Sequence, residues 1–208
     1  MERPMKRAFV LAAAATAALS LAACQKQKDQ TANAANDVAN SPPVSATQDA
    51  ASAAVGATSA NTMGSVSTDA FVTGLVTSGM YEIRAGKIAE TKAQSAAVKT
   101  FAKMMVTDHT AMSKAADPAV KASGKPVPTE LDERRKGLID NLNGAKPADF
   151  DKEYLNQQEA AHKEALDLLK GYADHGDDAG LKTVASGAIA KVQEHLDKVH
   201  ELQAALPK

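Results

Sequence analysis

From Thr68 to the end of the chain, apolar residues recur at helical spacing, and no stretch alternates as a strand would. Thr68-Asp69 can cap a first helix running to about Thr91. A second helix is predicted from about Gln94 to Ala116, where Asp117-Pro118 ends it, because proline disfavours helix in the residue before it. The loop KASGKPVP follows, and Thr129-Glu130-Leu131-Asp132 resembles a capping box opening a short helix to about Leu142. Two longer helices, about Pro147–Ala173 and Asp178–Ala205, are joined by a turn around Gly176. Four long helices and a short one over residues 68–208 predict an all-α domain, an antiparallel four-helix bundle with a genuine core.

Placing residues at 100° each locates an apolar stripe on every long helix. The first carries Phe71, Leu75, Gly79, Ile83 and Gly86, with Glu82 inside the stripe. The second carries Val98, Phe101, Ala102, Met105, Met112 and Ala116, with His109 inside. The third long helix carries Tyr154, Leu155, Gln158, Ala165, Leu169 and Tyr172 around His162. The last carries Leu181, Val184, Ala188, Val192, Val199 and Leu202 around His195. His175 and His200 fall in a turn and on an outer face.

Burying four such groups separately costs about 1–3 kcal/mol for each unpaired polar group, and more for a charge, so they are expected to meet. At 1.5 Å per residue, Glu82 and His109 differ in level by about 6 Å within the first hairpin, and His162 and His195 by about 7 Å within the second. The relative height of the two hairpins is not written in the spacing.

The N-terminus bears on compartment. Arg3, Lys6 and Arg7 precede an apolar run from Ala8 to Leu19, and LSLAACQ follows. This is the pattern of an export signal over residues 1–23, too short to span a bilayer permanently. Leu21-Ala22-Ala23-Cys24 resembles the bacterial lipobox, which implies lipidation of Cys24, the sole cysteine. Two or three acyl chains anchor stably, since each buried CH₂ contributes about 0.8 kcal/mol. Gln25 rather than aspartate after the cysteine implies sorting to the outer membrane, facing the periplasm. Residues 25–67 are rich in Ala, Ser, Thr, Asn and Gln and hold no aromatic residue, the composition of a disordered tether. Its reach as a flexible coil is roughly 35–40 Å. Removal of residues 1–23 takes one acid and three bases from totals of 25 and 24, leaving a net charge of −3. With no basic block left, nucleic acid is excluded as a partner.

Five blocks, FVTGLVTSGMYEIRAGKIAE, VKTFAKMMVTDHT, PTELD, FDKEYLNQQEAAHKEAL and LKTVASGAIAKVQEHL, resemble in order and spacing the bacterial family of domain of unknown function 4142. The resemblance covers about residues 68–204 and implies a ferritin-like bundle in an exported protein, but no established reaction. The family's recurring polar positions correspond to Glu82, Asp108, His109, His162, Glu194 and His195.

A di-iron site of ferritin-like type needs a Glu from each of two helices and Glu-x-x-His from each of the other two. The chain has one such motif, Glu159-x-x-His162, and places Val106 and Val192 where other carboxylates would stand. Neither a ferroxidase nor a di-iron oxygenase is therefore expected. Glu82, His109, His162 and His195 remain able to hold one divalent ion, with zinc, iron and copper all compatible. Met104, Met105 and Met112 also invite a copper(I) reading, although methionine at helical spacing usually fills core. The competing reading is a polar cluster in which the carboxylate accepts hydrogen bonds from the imidazoles and fixes helix register. No nucleophile elbow or phosphate loop accompanies these residues. The expected class is a non-enzymatic, lipid-anchored envelope module for binding or stress, with a metal-binding or metal-dependent redox protein as the alternative.

Overall fold

The structure is a computed structural model that describes residues 66–207. The expected export signal, Cys24 and the expected tether as far as residue 65 lie outside the described residues. Among the described residues the chain is all-helical, with five helices and no strand. They are α1 (Thr68–Lys92), α2 (Ala96–Ala122), α3 (Glu133–Gly144), α4 (Pro147–His175) and α5 (Ala179–Ala205). No helix among them is long and apolar enough to cross a membrane.

Short polar side chains start the helices by capturing backbone N–H groups that have no partner in the first turn. Ser67 accepts from Ala70, Ser95 from Ala97, Asp132 from Arg135 and Asp178 from Leu181. The caps differ from the expected ones in two places. Ser67, one residue earlier than Thr68-Asp69, caps α1, which frees Thr68 to bond Tyr172 at 2.7 Å. Asp132, not Thr129, caps α3, because its second oxygen also holds the Arg135 guanidinium at 2.6 Å.

The expected stop at Pro118 is also corrected: α2 runs through it to Ala122. Pro118 and Lys114, whose carbonyl loses its helical donor, are both exposed, so that oxygen faces water. The added turn buries Val120 in the core that also holds Leu181, which offsets the loss. Gly124, at φ 65°, then turns the chain out of the helix.

Hydrogen bonds between helices set their neighbours and directions. Thr68 pairs with Tyr172, Tyr81 with Gln157 and Glu82 with Gln158, so α1 and α4 run antiparallel. Asp108 meets His195, and Ala119 lies against Gly180, so α2 and α5 are antiparallel too. α2 ends near the α4–α5 turn, whereas α4 begins beside the α1–α2 turn, where Asp151 accepts from the backbone of Gln94 and Ser95. Residues 123–146, including α3, therefore travel back along the length of α2, about 40 Å. α3 packs on α1 and α4 along the way, with Lys92 bonded to the carbonyls of Leu142 and Asn143.

The apolar interior is in two parts. One surrounds Phe101, Leu142, Phe150 and Tyr154 at the α1–α2 turn, and the other surrounds Phe71, Leu169, Tyr172 and Leu181 at the opposite end. Six residues expected in the stripes, Leu75, Ile83, Met112, Ala165, Val184 and Ala188, are only half-buried. They line a cavity open to solvent on one side, so contacts that packing would have supplied are missing there.

Two buried tyrosines invite contrasting substitutions. Tyr81 donates to Gln157 Oε1 at 2.8 Å, while the Tyr154 hydroxyl is buried with no partner among the described residues. Tyr154→Phe is expected to be neutral or stabilising by up to about 1 kcal/mol, whereas Tyr81→Phe should cost about 1–2 kcal/mol. Urea denaturation midpoints of the two variants check the opposite signs.

Candidate metal centre

Between the two apolar cores lies a polar layer. Glu82 of α1, His109 of α2, His162 of α4 and His195 of α5 are all buried there, at 1, 7, 1 and 0 % exposure. The imidazole rings converge, with centroids 5.8 Å apart for His109–His162, 5.4 Å for His109–His195 and 5.5 Å for His162–His195. Each ring offers one nitrogen, and these nitrogens all lie within 4.8 Å of one another. Glu82 does not belong to that set. It sits behind His162, with one carboxylate oxygen 3.9 Å from Nδ1 and the other accepting from Gln158 Nε2 at 2.7 Å.

Hydrogen bonds orient two of the rings. His162 Nδ1 lies 2.7 Å from the Gln158 carbonyl, which can only accept, so the ring proton is on Nδ1 and the lone pair on Nε2. His195 Nε2 lies 2.9 Å from Asp108 Oδ2. A proton on that nitrogen leaves the lone pair on Nδ1. The buried nitrogens with no partner among the described residues are His109 Nε2, His162 Nε2 and His195 Nδ1, one from each ring.

Burial governs the charge states. It pushes the Glu82 carboxyl from 4.5 up to about 8, against the opposing hydrogen bond from Gln158. It drives His162 from 6.5 down to about 4. His109 falls well below its ordinary value through burial first and the two neighbouring imidazoles second. At neutral pH Glu82 is an uncharged acid and His162 an uncharged base, so their 3.9 Å approach is not an ion pair.

These shifts predict the pH dependence of the metal-free protein. Between pH 4.5 and 6.5 the unfolded chain protonates His109 and His162, which the folded chain keeps neutral, while the folded chain alone retains the Glu82 proton. The unfolded state then binds more protons, and stability rises with pH. From pH 6.5 to 8 Glu82 keeps its proton on the folded side, which lowers stability by about 2 kcal/mol at about 1.4 kcal/mol per unit. Denaturation at pH 5, 6.5 and 8 is expected to show the maximum at the middle value. A steady rise through pH 8 would contradict this account.

Other sequence candidates lie elsewhere. Glu159 is on the flank, bound to Lys163 and Gln203, and Glu194 is exposed and paired with Lys191 at 2.6 Å. Met104 and Met105 belong to the apolar core, and Met112 faces the cavity. A carboxylate-rich di-iron set is not present at the polar layer. Gln158 was visible only as a stripe residue, although its place one turn before His162 marked a second polar group on an apolar face.

No curated protein and no solved structure matches the chain. A sequence model of the family described as domain of unknown function (DUF4142) matches residues 52–202, as the five sequence blocks led one to expect, and the chain belongs to that family.

Proposed function

We propose that this chain is a lipid-anchored envelope protein whose four long helices form a ferritin-like antiparallel bundle around a three-histidine site for one divalent metal ion. The observation that carries the metal reading is the convergence of three buried imidazoles, each offering one nitrogen within 4.8 Å of the others and each with one nitrogen unpartnered. A polar cluster of the competing kind would pair those nitrogens with the carboxylate, and Glu82 instead bonds Gln158. Each unpaired nitrogen costs about 1–3 kcal/mol, a cost that coordination removes. The bundle reading is supported by antiparallel neighbours throughout and by the long return of residues 123–146, the single crossover of ferritin-like topology.

His109 Nε2, His162 Nε2 and His195 Nδ1 are the nitrogens that would hold the ion. Imidazole ligands suit zinc, copper and iron alike. Three protein ligands leave a fourth position open, as in sites that act on a bound molecule rather than those that only hold a fold together. Asp108 and the Gln158 carbonyl act as positioning groups that fix the tautomers.

Metal content of the full chain purified anaerobically tests the reading. About one ion per chain is expected, absent from the His162→Ala/His195→Ala double variant. Metal-free protein that gains no thermal stability with zinc, copper(I) or iron(II) would reject it. The anchor is tested separately: Cys24→Ala should release the protein from membranes without detergent.

A further inference from the structure

The half-buried stripe residues surround a cavity of about 730 Å³, inside the roughly 300–1,000 Å³ range of small-molecule sites. The sequence builds it with small residues, Ala116, Ala165 and Ala188 along its walls and Ser113 and Gly187 at its exposed rim. Protein interiors are otherwise close-packed, and an apolar cavity of this size leaves its walls short of packing partners. Its mouth lies between α2 and α5, where the exposed Ser113, Asp117, Thr183 and Gly187 line it. Val127, the one exposed large hydrophobic side chain among the described residues, stands there too.

At the inner end is His109, the only buried polar side chain in the lining among the described residues, with Nε2 unpartnered. His109 thus belongs both to the cavity wall and to the imidazole trio. A sugar, nucleotide or peptide would need several buried hydrogen-bonding groups, which these walls lack. A hydrocarbon chain needs none along its length, and one terminal oxygen is met by one imidazole or by a metal that it holds.

We infer that the cavity binds a single-chain aliphatic molecule with a terminal oxygen function, of fatty acid or fatty alcohol type, inserted between α2 and α5 with its polar end at His109. The inference rests on the cavity and stands with or without a metal at the trio.

The test uses the full chain carrying Cys24→Ser, delipidated and free of detergent, titrated with carboxyl-¹³C palmitate, hexadecanol and hexadecane, each with and without zinc. One palmitate per chain is expected, with a shifted carboxyl resonance. Hexadecanol should compete with it, and hexadecane should compete at least tenfold more weakly. A Cβ at Gly187 meets no atom within 4 Å, so Gly187→Trp fills open space and should weaken palmitate at least tenfold while leaving zinc uptake intact. Ala188→Phe serves as the second blocking variant, and circular dichroism melting verifies that each is folded. His109→Ala should keep the chain bound but remove the carboxyl shift. Absence of palmitate binding, or equal binding in both blocking variants, overturns the inference. So does a dimer that Gly187→Trp dissociates, which would assign the groove to a second copy. Zinc uptake without palmitate binding leaves the metal reading standing alone, and the converse leaves only the cavity.

Discussion

Replacing His109 by leucine should raise the melting temperature of the metal-free protein and at the same time abolish its response to zinc. The substitution removes a buried nitrogen without a partner, worth about 1–3 kcal/mol, and adds apolar surface facing the cavity. For a domain of this size a gain of 1–2 kcal/mol corresponds to roughly 2–8 °C. Zinc at a hundredfold excess over its dissociation constant adds about 2.7 kcal/mol to a protein that binds it only when folded, or roughly 5–10 °C. The wild-type protein should show that second shift and the variant should not. A purely structural role predicts the reverse pattern: metal-free leucine variant less stable than wild type, and no metal response in either. Differential scanning calorimetry of both proteins, metal-stripped and zinc-loaded, separates the two.

Gly86→Leu should be among the most damaging single changes in the fold. A Cβ at this position would lie 2.7 Å from Val106 Cγ2 and 3.1 Å from the carbonyl oxygen of Ala102. The methyl group can turn aside, but the carbonyl belongs to the backbone of α2. Even alanine, which gains about 1 kcal/mol in helix propensity, has to push the two helices apart, so Gly86→Ala should be neutral at best. Leucine should lose about 3 kcal/mol or more through overpacking. The displacement reaches the candidate site, because Val106 is one turn from His109 on the same helix, and zinc affinity should fall with stability. Gly187→Ala is the control. It enters open space within α5 and should stabilise by about 0.5–1 kcal/mol. Urea midpoints and zinc titrations of the three variants check the order.

The four buried ionisable groups were legible because each occupies an otherwise apolar helical face, a pattern set within one helix by the 100° step. Their partners were not. Asp108 drew notice only through the family resemblance, and it matters because α2 and α5 place it 2.9 Å from His195. Gln158 had the right position but no visible role until α1 brought Glu82 to it. The helix end at Pro118 was misplaced because the local rule is right about cost and silent about Val120 packing beyond it. The cavity escaped notice because glycine and alanine on an apolar stripe read as close packing, and only the distance to the opposite helices tells a contact from a void.

Sequence by itself determined the helices, their inward faces and the one acid and three bases upon them, since these follow from periodicity, caps and turns spanning a few residues. The tertiary structure alone decided that three of those groups meet, with Glu82 set behind His162. That outcome depends on how high one hairpin stands against the other. Pairings such as Thr68 with Tyr172 and Tyr81 with Gln157, across 104 and 76 residues, set that height, and no local rule reaches so far.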